Sequence, residues 1–184
     1  MLFEGEVASE LQVSKTPVRE ALNRLQHEGL IEVIPYKGYF VSSLTFDDIK
    51  DLFELRIILE GFAAEMAAKR SNDQEIEILF QLSQKKLDIN APDVKKEFMK
   101  INADFHIYIA KICGNREAAH QIESCINRLQ RALFLDTTES NISRMEAEHL
   151  ELAEAIRARN GSLAREYACK HLQDSQKRIL TINL

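Results

Sequence analysis

The chain has 184 residues and a formal charge of −5, from 24 Lys and Arg against 29 Asp and Glu. A hydrophobic share of 45% and a charged share of 29% exclude a disordered chain, and no apolar run approaches the ~18 residues of a membrane span. Three Pro, six Gly and no Trp argue for long helices rather than a β-sandwich or a loop-rich fold.

Residues 3–11 are predicted to form a short helix with Val7, Ala8 and Leu11 on its apolar face. Gln12-Val13-Ser14 makes a tight joint. Ser14 is the expected N-cap of a second helix over Lys15 to Gln26, with Pro17 tolerated in its first turn. Val18, Ala21, Leu22 and Leu25 form its inner stripe, and Gly29 supplies a left-handed C-cap. Leu30–Ile34 and Tyr39–Val41 are predicted strands, joined by the turn Pro35-Tyr36-Lys37-Gly38. Helix, joint, helix and hairpin within about forty residues is the pattern of a winged helix-turn-helix.

From residue 44 onward only helices are expected, roughly 46–69, 73–89, 92–113, 115–135, 141–159 and 162–182, with Thr45 capping the first. Breaks fall at Ser71-Asn72-Asp73, Asn90-Ala91-Pro92, Gly114-Asn115, 136–141 and Asn160-Gly161-Ser162. Short connections between long amphipathic helices mean antiparallel neighbours. The fold class is thus mostly α: a winged helix-turn-helix over 1–43 and an antiparallel bundle of about six helices over 44–184. Cysteines 113, 125 and 169 have no metal-type spacing and read as reduced thiols. No secretory pattern opens the chain, so the expected location is cytoplasmic.

Residues 1–44 carry four Lys and Arg against six Glu, so contact with nucleic acid must rest on local placement of charge. Ser14, Lys15, Thr16 and Arg19 sit at the N-terminal end of the second helix, the end that enters a major groove. Arginine takes guanine O6 and N7 in a bidentate contact; Ser, Thr and Lys hold phosphates. Lys37 and Gly38 lie at the hairpin tip. A solvated helix face beside an unrelated hairpin fits the spacing equally well.

The run Ser14-Lys-Thr-Pro-Val-Arg-Glu-Ala-Leu22, followed by Glu28-Gly29-Leu30-Ile31 and Gly38-Tyr39-Phe40-Val41, resembles the DNA-binding domain of GntR-type bacterial transcription regulators. The resemblance implies that Ser14, Lys15, Thr16 and Arg19 read or clamp a double-stranded operator, with Lys37 and Gly38 in the wing. It also implies a further helix ahead of Leu2-Phe3-Glu4, which makes the winged helix over 1–43 incomplete. Leu52-Phe53-Glu54-Leu55-Arg56 with Leu59-Glu60, and Asn102-Ala-Asp-Phe-His106, resemble the FCD effector-binding domain of the FadR branch.

Spacing within the bundle points to a metal. Asn102 and His106 share a helix face, while Asp104 points elsewhere. His149 lies twelve residues before Gly161 and His171 ten after it, so a helical hairpin brings them to matching heights. Three imidazoles with the Asn102 oxygen make a set for a divalent ion, zinc first, with nickel and manganese as neighbours. His27 and His120 fit no such set and read as surface residues. Arg56, seven residues after Ile49, lies on the inward face of its helix. It either pairs with Glu60 one turn on or receives the carboxylate or phosphate of a small anionic effector; on the second reading the helix of Arg128 and Arg131 lines the same cavity, with at least one of the two expected at the surface. Glu148 is read as facing outward or packing structurally.

These readings describe a ligand-responsive regulator, not an enzyme: a homodimer whose operator affinity changes when a small organic acid binds beside the metal. The alternatives are a metal-dependent hydrolase-like bundle, marked by turnover, and a dimerisation module that binds neither metal nor DNA.

Overall fold

A computed structural model describes residues 1–87 and 92–181. The chain divides into two compact units, Met1–Thr45 and Phe46–Leu184.

In the first unit α1 spans Glu4–Glu10, α2 Lys15–His27, β1 Ile31–Ile34 and β2 Gly38–Val41. The strands pair antiparallel, from Ile31 opposite Val41 to Ile34 opposite Gly38. Leu2 bridges Tyr39 on the free side of β2, a pairing not anticipated from the sequence. Ala8, Val18, Leu22 and Ile31 form the core, flanked by Leu2, Val7, Leu25 and Tyr39. Two expected core residues are exposed. Leu11 falls at the C-cap of α1, past the seven-residue helix that would have turned it inward. Ala21 lies at the margin of the stripe set by 18, 22 and 25.

Ser14 occupies the N-cap of α2 but makes no capping hydrogen bond. Its usual target is the N–H two or three residues into the helix, and the third helical residue is Pro17, which has none. The C-terminus of α2 is a Schellman motif: Gly29, at φ 73°, donates to the Gln26 carbonyl, and Leu30 donates to that of Leu25.

The second unit contains α3 Phe46–Arg70, α4 Asp73–Ser83, α5 Val94–Ile112, α6 Arg116–Leu135, α7 Glu139–Arg157 and α8 Gly161–Thr181. Side-chain caps fix several starts. Asn72 and Glu75 form a capping box on α4, and Asn115 caps α6. Thr138 accepts from Asn141 N–H, which starts α7 two residues earlier than expected from the sequence. α4 ends at Ser83, well before the expected residue 89, because Gln84 folds back onto the Phe80 and Gln81 carbonyls. The expected break at Asn90-Ala91-Pro92 lies outside the described residues except for Pro92, as does residue 182 of the last helix. Arg159 takes the left-handed position after α7 at φ 59°, and its guanidinium bonds the Ser71 carbonyl and Asp73. It thereby ties the α7–α8 turn to the α3–α4 joint.

α3 is the central helix and packs against α5, α6, α7 and α8. Ala63, Ala64, Ala67 and Ala68 are fully buried, and their small side chains let the neighbouring helices approach closely. At Gly61 the approach is close enough that an added Cβ would stand 2.6 Å from Cys169 Sγ on α8. Among the described residues no helix is long and apolar enough to cross a membrane.

Gly61→Ala is therefore expected to destabilise the bundle by about 1–3 kcal/mol in urea unfolding. In a Cys169→Ala background the same change should become neutral or stabilising, since alanine is the better helix former by ~1 kcal/mol. Equal costs in both backgrounds would remove the close-approach explanation.

Candidate metal centre

Three helices bring three histidines together. His106 lies on the buried face of α5, His149 on that of α7, and His171 on that of α8. Their ring centroids are 4.9–5.1 Å apart, and one ligand nitrogen from each ring lies within 4.8 Å of the other two. Tetrahedral bonds of ~2 Å put donors about 3.3 Å apart, so a pair as wide as 4.8 Å would have to close by more than about 1 Å to share one ion. Phe105 stacks on His149 at 4.2 Å and walls the cluster on one side.

Two carboxylates orient the rings. His106 Nδ1 donates to Glu60 Oε2 at 2.7 Å, and His171 Nδ1 donates to Glu148 Oε2 at 2.6 Å. A carboxylate on Nδ1 fixes the tautomer and leaves the Nε2 lone pair free, which is how metal-ligating histidines are held. His106 Nε2, His149 Nε2 and Asn102 Oδ1 are all buried without a hydrogen-bond partner among the described residues. Each unmade buried group of this kind costs ~1–3 kcal/mol unless something binds it. Glu148 thus faces the cluster instead of pointing outward. Its place immediately before His149 in sequence hid this, because adjacent helical residues point about 100° apart.

Burial favours the neutral form of His106 and His149, the form that binds metal. It lowers His106, against the pull of Glu60, and lowers His149 well below the usual histidine value, with the charges of His171, His106 and Arg56 adding to the effect. Burial would raise Glu60, but the Arg56 guanidinium and His106 outweigh it and hold the carboxyl at about 2. Glu148 is likewise lowered, its burial overcome chiefly by the hydrogen bond to His171.

Arg56 is 1% exposed, and its Nε donates to Glu60 Oε1 at 2.6 Å. Of the two readings open in the sequence, the ion pair with Glu60 is the one the geometry contains, and through Glu60 it connects Arg56 to His106. Arg128 is half-buried; its charge and that of Arg56 both reach Cys125. Arg131, Asp104, His27 and His120 are exposed.

In the first unit Ser14, Lys15, Thr16, Arg19 and Lys37 are exposed along α2 and the hairpin turn. Gly38 is not at the tip. It opens β2 at φ 102°, where a Cβ would stand 3.2 Å from the Leu2 carbonyl oxygen, and the tip is Pro35-Tyr36-Lys37. Arg19 is already engaged: Nε and Nη2 bond Glu4 at 2.9–3.2 Å, and the Tyr39 hydroxyl donates to the same carboxylate.

Residues 51–174 match the model of the FCD domain, and residues 1–41 match that of the bacterial regulatory proteins of the gntR family. The chain is 33% identical to the Nta operon transcriptional regulator of Aminobacter aminovorans, over 97% of its own length and 84% of that protein. It is 25% identical to the HTH-type transcriptional repressor RspR of Escherichia coli K12, over 98% of this chain and 80% of that one. Among solved structures it superposes on E. coli McbR/YncC with a TM-score of 0.80 at 20% identity, covering 97% of this chain and 85% of the other.

Arg56→Met should destabilise the bundle by about 3–5 kcal/mol, because it strands a buried carboxylate. Arg56→Met with Glu60→Gln should recover most of that loss, since the amide oxygen still accepts from His106. Denaturant unfolding of both variants checks this; a double variant as unstable as the single one would mean that the charge pair is not the cause.

Proposed function

We propose, for a chain that belongs to the gntR family of bacterial regulatory proteins and carries its FCD domain, that the histidine cluster holds a divalent metal and that a small organic anion binding there changes operator affinity. The family makes the protein a bacterial transcription regulator rather than an enzyme. The observation that carries the proposal is the set of buried, partnerless Nε2 and Oδ1 atoms beside imidazoles held by carboxylates. His106, His149 and His171, with the Asn102 oxygen, are the ligands on this reading, and zinc is the favoured ion. Held by four neutral donors, such an ion keeps its charge, and it takes an anionic oxygen by expanding to five-coordination. Arg56 and Arg128 add positive charge to the same interior. Arg131, exposed as it stands, is the weakest of the expected effector residues.

The DNA-reading surface is Ser14, Lys15, Thr16 and Arg19 on α2, with Lys37 and Gly38 in the wing. Glu4 restrains Arg19 in the free protein, so base contact requires either a change of partner or the free edge of the same guanidinium. Two such units in a homodimer would meet the half-sites of a near-palindromic operator. Effector control requires only that the effector favour one pose of the two units over another.

Metal analysis is expected to find one divalent ion per chain, lost in His149→Ala and bound ~10–100-fold more weakly in Glu148→Gln. Chelation should abolish the effector response without unfolding the bundle by circular dichroism. Undiminished metal in His149→Ala would sink the assignment.

For DNA, Arg19→Ala should weaken operator binding by ~1–3 kcal/mol while barely affecting scrambled sequence. Lys37→Ala should weaken both evenly and reduce the salt slope by about one. Equal losses on both DNAs for Arg19→Ala would make it a phosphate contact.

A further inference from the structure

A second buried cation lies in the helical unit. Arg178 on α8 is 15% exposed, and its Nε donates to Asp136 Oδ2 at 3.1 Å. The other oxygen of Asp136 accepts from Asn141 Nδ2 at 2.8 Å. Nη1 and Nη2 of Arg178 are both buried with no hydrogen-bond partner among the described residues. Asp136 thus balances the charge but occupies one edge of the fork, and the terminal nitrogens present unmade donors to the interior. That fork matches a carboxylate in a bidentate contact.

The position of this arginine ties it to the histidine cluster. It lies seven residues after His171, twenty degrees short of two full turns, so both sit on one face of α8 with buried Ser175 between them. Along the helix axis they are ~10 Å apart. Glu148, which bonds His171 Nδ1, also feels the positive charges of Arg178 and Arg144. The negative groups of this region already have partners: Glu148 has His171, and Asp136 has Arg178 Nε and Asn141.

We propose that Arg178 is the second anion-receiving group of the effector pocket, and that the effector is a short dicarboxylate with one end at the histidine cluster and the other on Nη1 and Nη2. The proposal rests on the effector reading above and adds the chemical class. A metal–oxygen bond, a four-carbon diacid and one charge-assisted hydrogen bond together cover on the order of 10 Å, comparable to the rise along α8 between residues 171 and 178. A monocarboxylate reaches only one of them.

The test is calorimetric titration of the zinc-loaded chain with succinate and with acetate. Succinate is expected to bind roughly 10- to 100-fold more tightly than acetate. Arg178→Gln should bring succinate to the acetate level while leaving acetate affinity and zinc content unchanged, and Arg178→Lys should restore part of the preference. A folded Arg178→Gln chain that keeps the preference overturns the proposal. If Arg178→Gln fails to fold, Asp136→Asn decides: it breaks the same ion pair but keeps the cation, so the preference should persist or grow, and its loss with zinc retained assigns Arg178 to structure alone. If acetate binds the wild-type chain and succinate gains nothing, the Arg178 proposal falls while the metal-centred effector reading stands. If neither acid binds, both fall.

Discussion

The carboxylate of Glu60 is the point on which the helical unit depends. It is buried on α3 and accepts from Arg56 with one oxygen and from His106 with the other. Removing a charge this deep from water is costly, and two partners are what make it tolerable. The same two bonds have separate consequences. The one to Arg56 closes a buried charge pair on the central helix. The one to His106 sets a tautomer on a different helix and turns its Nε2 toward His149 and His171. Stability and site geometry therefore share one residue.

Glu148 repeats the arrangement from the other side, holding His171 across the α7–α8 pair. The third ring, His149, has no carboxylate partner among the described residues and stacks instead on Phe105. The cluster is held by two electrostatic arms and one packing contact. Those three supports come from three different helices, α3, α7 and α5, so the rings are placed by the bundle as a whole and not by any single loop.

Much of this was legible in the sequence, for identifiable reasons. Helical period and cap residues marked the six bundle helices, and counting from the turns at Gly114 and Gly161 brought His106, His149 and His171 to one depth, because helix rise is fixed. Where capping chemistry rather than hydrophobic pattern sets a boundary, the reading slipped: α7 begins at the Thr138 cap, and α4 stops at Gln84 with no glycine or proline to announce it. In the first unit Pro17 silenced the Ser14 cap, and Leu2 joined β2 through a backbone bridge that leaves no side-chain signature. The partners of the site were harder still. Glu60 was visible as a neighbour of Arg56 on one helix, but its second bond to α5 is a tertiary contact. Glu148 and the Arg178–Asp136 pair join residues 23 and 42 positions apart, beyond any local pattern.

Charge accounting then says what the pocket wants. Around the cluster Glu60 is balanced by Arg56, and Asp136 by Arg178, which leaves Glu148 as the carboxylate of these three whose bonded partner among the described residues is a histidine alone. Three imidazoles and an amide add no negative charge. A divalent ion at their centre would leave the buried region with an excess of positive charge, set against a low effective dielectric that magnifies it. Most sites of this kind that are only structural close the coordination sphere with protein ligands. Here all four donors are neutral, so closing the sphere does not compensate the ion's charge, and on the same face of α8 the buried donors of Arg178 have no partner among the described residues. An anion answers both deficits at once, and an anion with two charged ends answers them in one molecule. The pocket's affinity would then depend on ligand charge more than on ligand size, which is the physical basis for a helical bundle that tells an acid from its neutral analogue.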